Sequence, residues 1–374
     1  MIRGLTVTQR CNFHCRYCYV TRRRGPDMTL DTARRAIAEA FAGAGDAELL
    51  ELDFLGGEPL CAFDLIRQTA EWSWARDWGR EYLFFATTNG SLLNGEMRSW
   101  FQAHRERFVL CLSFDGQTEG QRENRDDCLP DVEFFLRTWP EQALQMTVTA
   151  RSVGRLAENV TDIVRRGGIC RVNCEYGAEV WPEEAFLAYE RQLATLVRFY
   201  LRHPEKPPVN VIARDLPAAA QSVLDTRAGR LGPAPPLCGM GRDYRMVGTD
   251  GTPYLCQLLS PLALDRTQLD GLERWRLAER QDFSVPECAG CPLSLVCPIC
   301  YGSAYGKTGN PFRREYNHCR TYRTELLAAC KFRAGQLKAG QGRGEDAARD
   351  ARAIQVLLES GVPLRGPLPY GPGR

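Results

Sequence analysis

The chain has 374 residues, enough for one large core and a smaller module. Its 48 Lys and Arg against 46 Asp and Glu leave a net charge of +2, so the overall balance gives no reason to expect nucleic acid or another polyanion as partner. No apolar run approaches 18 residues and no signal-peptide pattern opens the chain, so no membrane is expected and the protein is expected to be cytoplasmic. Sixteen cysteines in that compartment point to metal or redox chemistry rather than disulfides.

The first 200 residues alternate between strand-like and helix-like stretches. A strand over Leu5–Thr8 leads into Cys11, Cys15 and Cys18, a CxxxCxxC loop. The basic run Arg22-Arg23-Arg24 follows and reads as a solvated loop. A helix over Leu30–Ala42 and a strand over Leu49–Leu55 come next, the strand ending in Phe54-Leu55-Gly56-Gly57-Glu58-Pro59. Adjacent glycines let a backbone come close to a ligand and present its carbonyls. A helix is expected over Asp64–Trp78, with Ile66, Ala70, Trp74 and Trp78 as its core stripe. The strand Tyr82–Thr88 ends in Asn89-Gly90, and a helix follows over Asn94–His104. The strand Val109–Phe114 ends in Ser113, Asp115 and Gly116. Further helices are expected over Asp131–Trp139, Val153–Arg166 and Pro182–Arg202, and strands over Leu144–Ala150 and Ile169–Tyr176. Six strand–helix units imply a parallel sheet with right-handed crossovers, its polar strand tips gathered on one rim.

Beyond Arg202 the composition changes. Prolines crowd His203–Val209 and Leu231–Leu237, a bridge between modules. The expected division is residues 1–202, a bridge over 203–236, a cysteine-rich module over 237–330 and a tail over 331–374. In the tail a helix is expected over Glu345–Glu359, with Gly361 to stop it, and Pro363–Arg374 reads as frayed.

Three thiolates on so short a loop can hold three corners of a cubane cluster and leave one iron open for chemistry. The same spacing also suits a structural zinc loop. The ordered set CNFHCRYC, FLGGEP, TTNG and LSFDG resembles the radical S-adenosylmethionine (SAM) superfamily over roughly Ile2–Arg202. The resemblance implies an α/β fold, a partial (β/α)6 barrel, with one [4Fe–4S] cluster on Cys11, Cys15 and Cys18 whose open iron chelates SAM. It also implies that Tyr17 lies against the adenine, and that Gly56, Gly57 and Glu58 hold the methionyl amino group. Asn89 and Ser113 would contact the ribose or carboxylate. Arg125 and Arg151 are candidates for the carboxylate, and each reads equally well as a solvated loop arginine.

A second constellation follows: Cys238, Cys256, Cys288, Cys291, Cys297, Cys300 and Cys319. Seven cysteines with CxxC spacing at both ends of the central group are a strong metal signal, and thiolates on tight turns converge without a long loop to close. Zinc would use four ligands and leave three idle. The pattern resembles the SPASM module that carries auxiliary [4Fe–4S] clusters. That resemblance implies one auxiliary cluster on Cys238, Cys256 and Cys300, and a second on Cys288, Cys291, Cys297 and Cys319. The CxxC spacing of Cys297 and Cys300 departs from the usual CxxxC. The fourth site of the first auxiliary cluster is either open to a substrate thiolate or closed by a leftover cysteine, Cys330 being the candidate. Cys111 reads as a buried core residue, while Cys170 and Cys174 are placed to face the cavity.

The resemblance implies an enzyme that cleaves SAM reductively to a 5′-deoxyadenosyl radical, with electrons from a low-potential donor of flavodoxin or ferredoxin type. The leading reading is maturation of a ribosomally made precursor peptide by a thioether or carbon–carbon cross-link. The first strand starts within ten residues of Met1, which leaves leader recognition to a separate protein or to a direct groove. Formylglycine formation in a sulfatase is the nearest rival. Gln257 opposes it, because a neutral amide after Cys256 cannot take a proton where those relatives carry an aspartate. Oxidation of a small metabolite or cofactor precursor, and a non-catalytic zinc scaffold, are the remaining alternatives.

Overall fold

The computed structural model describes residues 1–366 except 22–23, 47–48, 127, 176–179, 231–235, 342–343 and 363. Arg22, Arg23 and Tyr176 therefore lie outside the described residues, as do most of the proline-rich 231–237 stretch and of the last dozen positions. The elements in chain order are β1 (Ile2–Thr8), α1 (Leu30–Ala42), β2 (Leu50–Gly56), α2 (Phe63–Trp74), β3 (Tyr82–Thr88), α3 (Gly95–Ala103), β4 (Phe108–Leu112), α4 (Thr118–Asn124) and α5 (Val132–Thr138). They continue with β5 (Leu144–Val148), α6 (Leu156–Arg165), β6 (Cys170–Cys174), α7 (Glu183–Arg202), α8 (Leu216–Arg227), β7 (Tyr244–Val247) and β8 (Pro253–Tyr254). The last are α9 (Arg266–Leu272), α10 (Tyr301–Thr308), α11 (Tyr316–Lys338) and α12 (Glu345–Leu358). Contacts divide the chain into two compact units, the first drawn from Met1–Phe114, Arg125–Gln145 and Cys238–Arg280, the second from Asp115–Asn124, Met146–Leu237 and Gln281–Arg374.

In the first unit β1–β4 run parallel, in the sheet order β4-β3-β2-β1-β7-β8. Each strand is followed by a helix, and alternation explains why. Leu50, Leu52 and Phe54 of β2 point to one face and are fully buried, as are Phe84 and Ala86 of β3 and Phe108 and Leu110 of β4. Phe54, Phe84 and Phe108 stack at 5.2–6.0 Å, and Trp74 of α2 meets Phe84 edge-on at 5.9 Å. That is the helix-covered face. α1 starts on a Thr29 cap, whose hydroxyl accepts from the Thr32 amide, and buries Ala33, Ala36, Ile37 and Ala40. β7 runs parallel to β1, pairing Ile2 with Tyr244 and Leu5 with Val247, and brings the cysteine-rich stretch to the sheet.

The helix expected over Asp64–Trp78 stops at Trp74. Asp77 Oδ1 accepts from the Gly79 amide at 2.8 Å, and Gly79 takes the left-handed φ of +66° that ends the turn. Trp78 therefore leaves the helical stripe and stacks flat on Phe41 at 4.2 Å. It remains a packing residue, but on α1 rather than in the Ile66–Ala70–Trp74 line.

In the second unit β5 and β6 pair as a two-stranded sheet. The stretch expected as one helix over Val153–Arg166 divides into a 3₁₀ turn, Val153–Arg155, and α6. The 23-residue α11 had no sequence signal, because its buried side carries Arg320, Thr321, Arg323 and Glu325 among Leu326 and Leu327. These polar groups are paired. Tyr189 Oη donates to Glu325 Oε1 at 2.6 Å, Arg214 Nε donates to Glu325 Oε2 at 2.9 Å, and Arg320 forms two bonds to Glu183. Cys330 lies on α11 in a core with Leu216, Val223, Leu326 and Leu357, and burial pushes its thiol up to about 11.

The face of the first unit's sheet opposite the helices carries Glu51 and Asp53 of β2. Asp53 Oδ1 is buried and has no hydrogen-bond partner, and burial followed by the Glu51 charge pushes the Asp53 carboxyl up to about 8. The folded chain thus holds a proton that the unfolded chain, near the ordinary carboxylate value of about 3.9, releases. Stability contributed by that proton is complete below the ordinary value and is lost as pH rises through 8, at up to about 1.4 kcal/mol per unit. Asp53→Asn should flatten the decline, so that urea midpoints of wild type and variant separate at pH 8 in the variant's favour and draw together at pH 5.

Candidate active site

The loop after β1 carries Cys11, Cys15 and Cys18, and the structure draws them together. Cys11 is pushed up to about 12, first by burial and then by the charges of Glu58, Cys18 and Cys15. The Cys18 amide donates to Cys15 O at 3.2 Å, and the Phe13 amide donates to Cys11 Sγ at 3.4 Å. Among the described residues no three His, Cys, Asp or Glu side chains converge as on a single metal ion. A cubane needs no such point, since each of its irons takes one thiolate at a separate corner. The donor set, three half-buried thiols on one short loop, fits such a cluster.

The loop is fixed from three sides. Arg10 pairs with Asp27 at 2.6 Å and donates to Cys61 O at 2.7 Å. Asn12 Oδ1 accepts from Asn89 Nδ2 at 3.0 Å, while Asn12 Nδ2 donates to Ser91 Oγ at 2.8 Å. The His14 amide donates to Asp126 Oδ2 at 2.8 Å. Sequence reasoning passed over Asn12, Ser91, Asp27 and Asp126, since each is an ordinary loop residue until the loops are seen together.

Gly56 and Gly57 also have a reason within the chain itself. A Cβ on Gly56 would lie 2.6 Å from Thr8 O, and one on Gly57 would lie 2.5 Å from Arg10 O and 2.8 Å from Cys11 Cβ. The pair lets the tip of β2 run against the backbone of the cysteine loop, where the Gly57 and Glu58 amides donate to Thr8 O and Arg10 O at 3.2 and 2.8 Å. Glu58 is buried and ties two strands. Its Oε1 accepts from Thr88 Oγ1 at 2.7 Å and from the Leu60 amide, and its Oε2 accepts from the Asn89 amide at 2.8 Å. Burial raises its carboxyl, and those bonds together with the Arg125 charge oppose the rise. Arg125 lies 5.5 Å from the Tyr17 ring centroid, so these two sequence candidates meet. Ser113 donates its amide to Thr88 O at 2.8 Å and bridges to Gln145. Arg151 belongs to the second unit, where it is exposed and its amide donates to Thr149 Oγ1 at 3.3 Å.

Of the second cysteine set, Cys238 and Cys256 belong to the first unit and Cys300 to the second. Cys288, Cys291, Cys297, Cys300 and Cys319 line one cavity of about 240 Å³. Cys288 is pushed up to about 12 by burial, then by the charges of Cys291 and Cys319, and Cys297 is raised by burial and by the same neighbours. Arg323 Nη2 reaches Cys291 Sγ at 3.8 Å. Two expected cavity thiols lie elsewhere. Cys170 and Cys174 occupy the buried face of β6, against Tyr200 and Tyr189 of α7, because alternation turns Arg171 and Asn173 the other way.

Residues 5–118 match the Radical SAM superfamily. The fold is the α/β radical SAM fold, with a cysteine-rich stretch toward the C-terminus. Related chains include the GTP 3′,8-cyclase of Acidothermus cellulolyticus, 30% identical over 172 residues that make 44% of this chain and 43% of that one. An uncharacterised protein of Methanocaldococcus jannaschii is 32% identical over 90 residues, 24% and 30% of the two chains. The chain thus matches less than half the length of these relatives. Among solved structures, native anSMEcpe with bound AdoMet is similar over 91% of this chain and 99% of that one, at 17% identity and a TM-score of 0.63. SuiB of Streptococcus suis, bound to the precursor peptide SuiA, is similar over 83% and 73%, at 14% identity and a TM-score of 0.50. Residues 5–118 thus match a radical SAM domain, the mark of a class that works with SAM and a [4Fe–4S] cluster, and the chain shares the fold of solved radical SAM proteins.

Gly57→Ala must displace the backbone of Arg10 and Cys11, whereas Gly95→Ala meets nothing within 4 Å. After anaerobic reconstitution Gly57→Ala should form 5′-deoxyadenosine roughly 100-fold more slowly than wild type, the scale of a misplaced reacting group. Gly95→Ala should match wild type in the same chromatographic assay.

Proposed function

We propose that the chain oxidises a ribosomally made peptide, joining two of its residues through a thioether or carbon–carbon bond. In this reading Cys11, Cys15 and Cys18 hold the cluster that binds SAM, and Tyr17, Gly56, Gly57, Glu58, Asn89, Ser113, Arg125 and Arg151 form its surroundings. Cys238, Cys256, Cys288, Cys291, Cys297, Cys300 and Cys319 hold two auxiliary clusters. A low-potential carrier of flavodoxin or ferredoxin type supplies the electron.

The observation that carries the reading is the peptide in related structures of similar extent. The anSMEcpe neighbour has been solved with AdoMet and the Cp18Cys peptide, at a TM-score of 0.61 over 91% of this chain, and SuiB with its precursor. The five-cysteine cavity adds to it, since cubanes that take all the thiols account for a set that one zinc ion would leave partly idle. The cyclase relative favours a small nucleotide substrate instead, but its match covers 44% of this chain.

Anaerobic reconstitution should give brown protein with about twelve irons, three cubanes of four. With dithionite and SAM it should release 5′-deoxyadenosine, and the Cys11, Cys15, Cys18 triple alanine variant should release none. Co-expression with short reading frames beside the gene, read by peptide mass spectrometry, should show two hydrogens lost per modified site. A colourless zinc protein, or cleavage of SAM with no peptide altered, would reject the reading.

A further inference from the structure

We propose that Asp53 takes up the proton released when the substrate is oxidised, with Tyr244 as its link to the reacting site. The inference rests on the peptide-oxidation reading for the identity of the substrate alone; the residues concerned all belong to the first unit.

Asp53 lies on the face of the sheet opposite the phenylalanine stack, in register with Gly4 of β1 and Phe85 of β3. Gly4, without a side chain, lets its neighbours close over the place beside it. A Cβ there would stand 2.6 Å from Leu55 Cδ1, 3.0 Å from Met246 Cβ and 3.2 Å from the Tyr244 hydroxyl. Tyr244 thus reaches over Gly4, and its hydroxyl donates to Gln257 Oε1 at 2.6 Å. Gln257 follows Cys256, as Tyr19 follows Cys18. The charge of Asp53 acts on both tyrosine hydroxyls, and so does that of Cys256. A carboxyl with an unpartnered buried oxygen therefore stands between the chain that follows the first cysteine loop and the chain that follows Cys256.

The chemistry requires such a group. Hydrogen-atom abstraction converts a substrate C–H into a carbon radical and 5′-deoxyadenosine. Closing a bond from that carbon to a neighbouring S–H or C–H sulfur or carbon then sheds one electron and one proton. The electron goes to an oxidised iron–sulfur cluster, and the proton goes to a base. Gln257, a neutral amide, cannot take it, and a tyrosine hydroxyl can only pass it on by giving up its own. Asp53 as a carboxylate becomes a carboxylic acid and the balance closes. A carboxyl that titrates at about 8 stands close to working pH, where a general base is most effective. The titratable groups facing it are Glu51 on its own strand, Tyr244 on β7, Tyr19 after the cysteine loop and Cys111 on β4.

The test uses the whole reconstituted chain as wild type, Asp53→Asn and Asp53→Glu. Infrared difference spectra across a pH titration should show a carboxylic-acid carbonyl band in the wild type that is lost as pH rises and is missing from Asp53→Asn. With a co-expressed peptide that the wild type modifies, product per 5′-deoxyadenosine should fall roughly 100-fold in Asp53→Asn, the scale of a lost general base. Asp53→Glu should recover part of the ratio, and the wild-type rise of that ratio with pH should vanish in Asp53→Asn. An unchanged ratio in Asp53→Asn overturns the proposal. If the wild type cleaves SAM and alters no peptide, the peptide reading fails and the infrared band decides for Asp53: a titrating band lost in Asp53→Asn upholds it, and no such band overturns it.

Discussion

A thiol in a buried loop does not ionise unaided, and the cysteine chemistry of this chain depends on that constraint. Cys11 and Cys288 are each driven to about 12, first by removal from water and then by the other thiols beside them. Cys11 and Cys288 therefore keep their protons until a strong cation shares their loop, and binding of such a cation would release them. The same crowding that penalises the free thiolates favours a polycationic inorganic core once it is present. The first loop is held in place by bonds that do not involve sulfur.

Those bonds tie the strand tips to the cysteine loop. Gly56 and Gly57 are small because the tip of β2 presses on Thr8, Arg10 and Cys11. Glu58 spends both carboxylate oxygens on Thr88, Leu60 and Asn89, so the ends of β2 and β3 move as one piece. Asn89 in turn holds Asn12 of the cysteine loop. A substitution at any of these tips is felt at the sulfurs through two or three hydrogen bonds, which is how a rim of separate loops acquires the rigidity that positioning a radical demands.

Much of this was legible in the sequence, for physical reasons that also mark where legibility ends. The alternation of strand-like and helix-like stretches placed α1 over Leu30–Ala42 and gave β2, β3 and α3 to within a residue at either end. Cys11, Cys15 and Cys18 announced themselves by spacing alone. α11 did not, because its buried side is occupied by paired charges that no hydrophobic period can reveal. Trp78 was drawn into the wrong stripe because an Asx turn at Asp77 ends α2 four residues earlier. Cys170 and Cys174 were placed towards the cavity, but the pleat of β6 sends them to α7, and a single residue of register decides which.

Asp53 shows the same limit at the level of chemistry. In the run Leu50-Glu51-Leu52-Asp53-Phe54 an acidic residue at alternate positions reads as the solvent side of an ordinary strand. What makes it unusual is supplied by other segments. Gly4 leaves room, Tyr244 arrives on a strand nearly two hundred residues later, and Gln257 accepts from that tyrosine rather than bearing a charge of its own. A buried carboxyl costs folding free energy when it ionises, and an isosteric amide would remove that ionisation cost at equal volume. A chain that keeps the carboxyl there retains a group able to change its proton count near working pH, and among the neighbouring polar groups Gln257 and the tyrosine hydroxyls lack that ability.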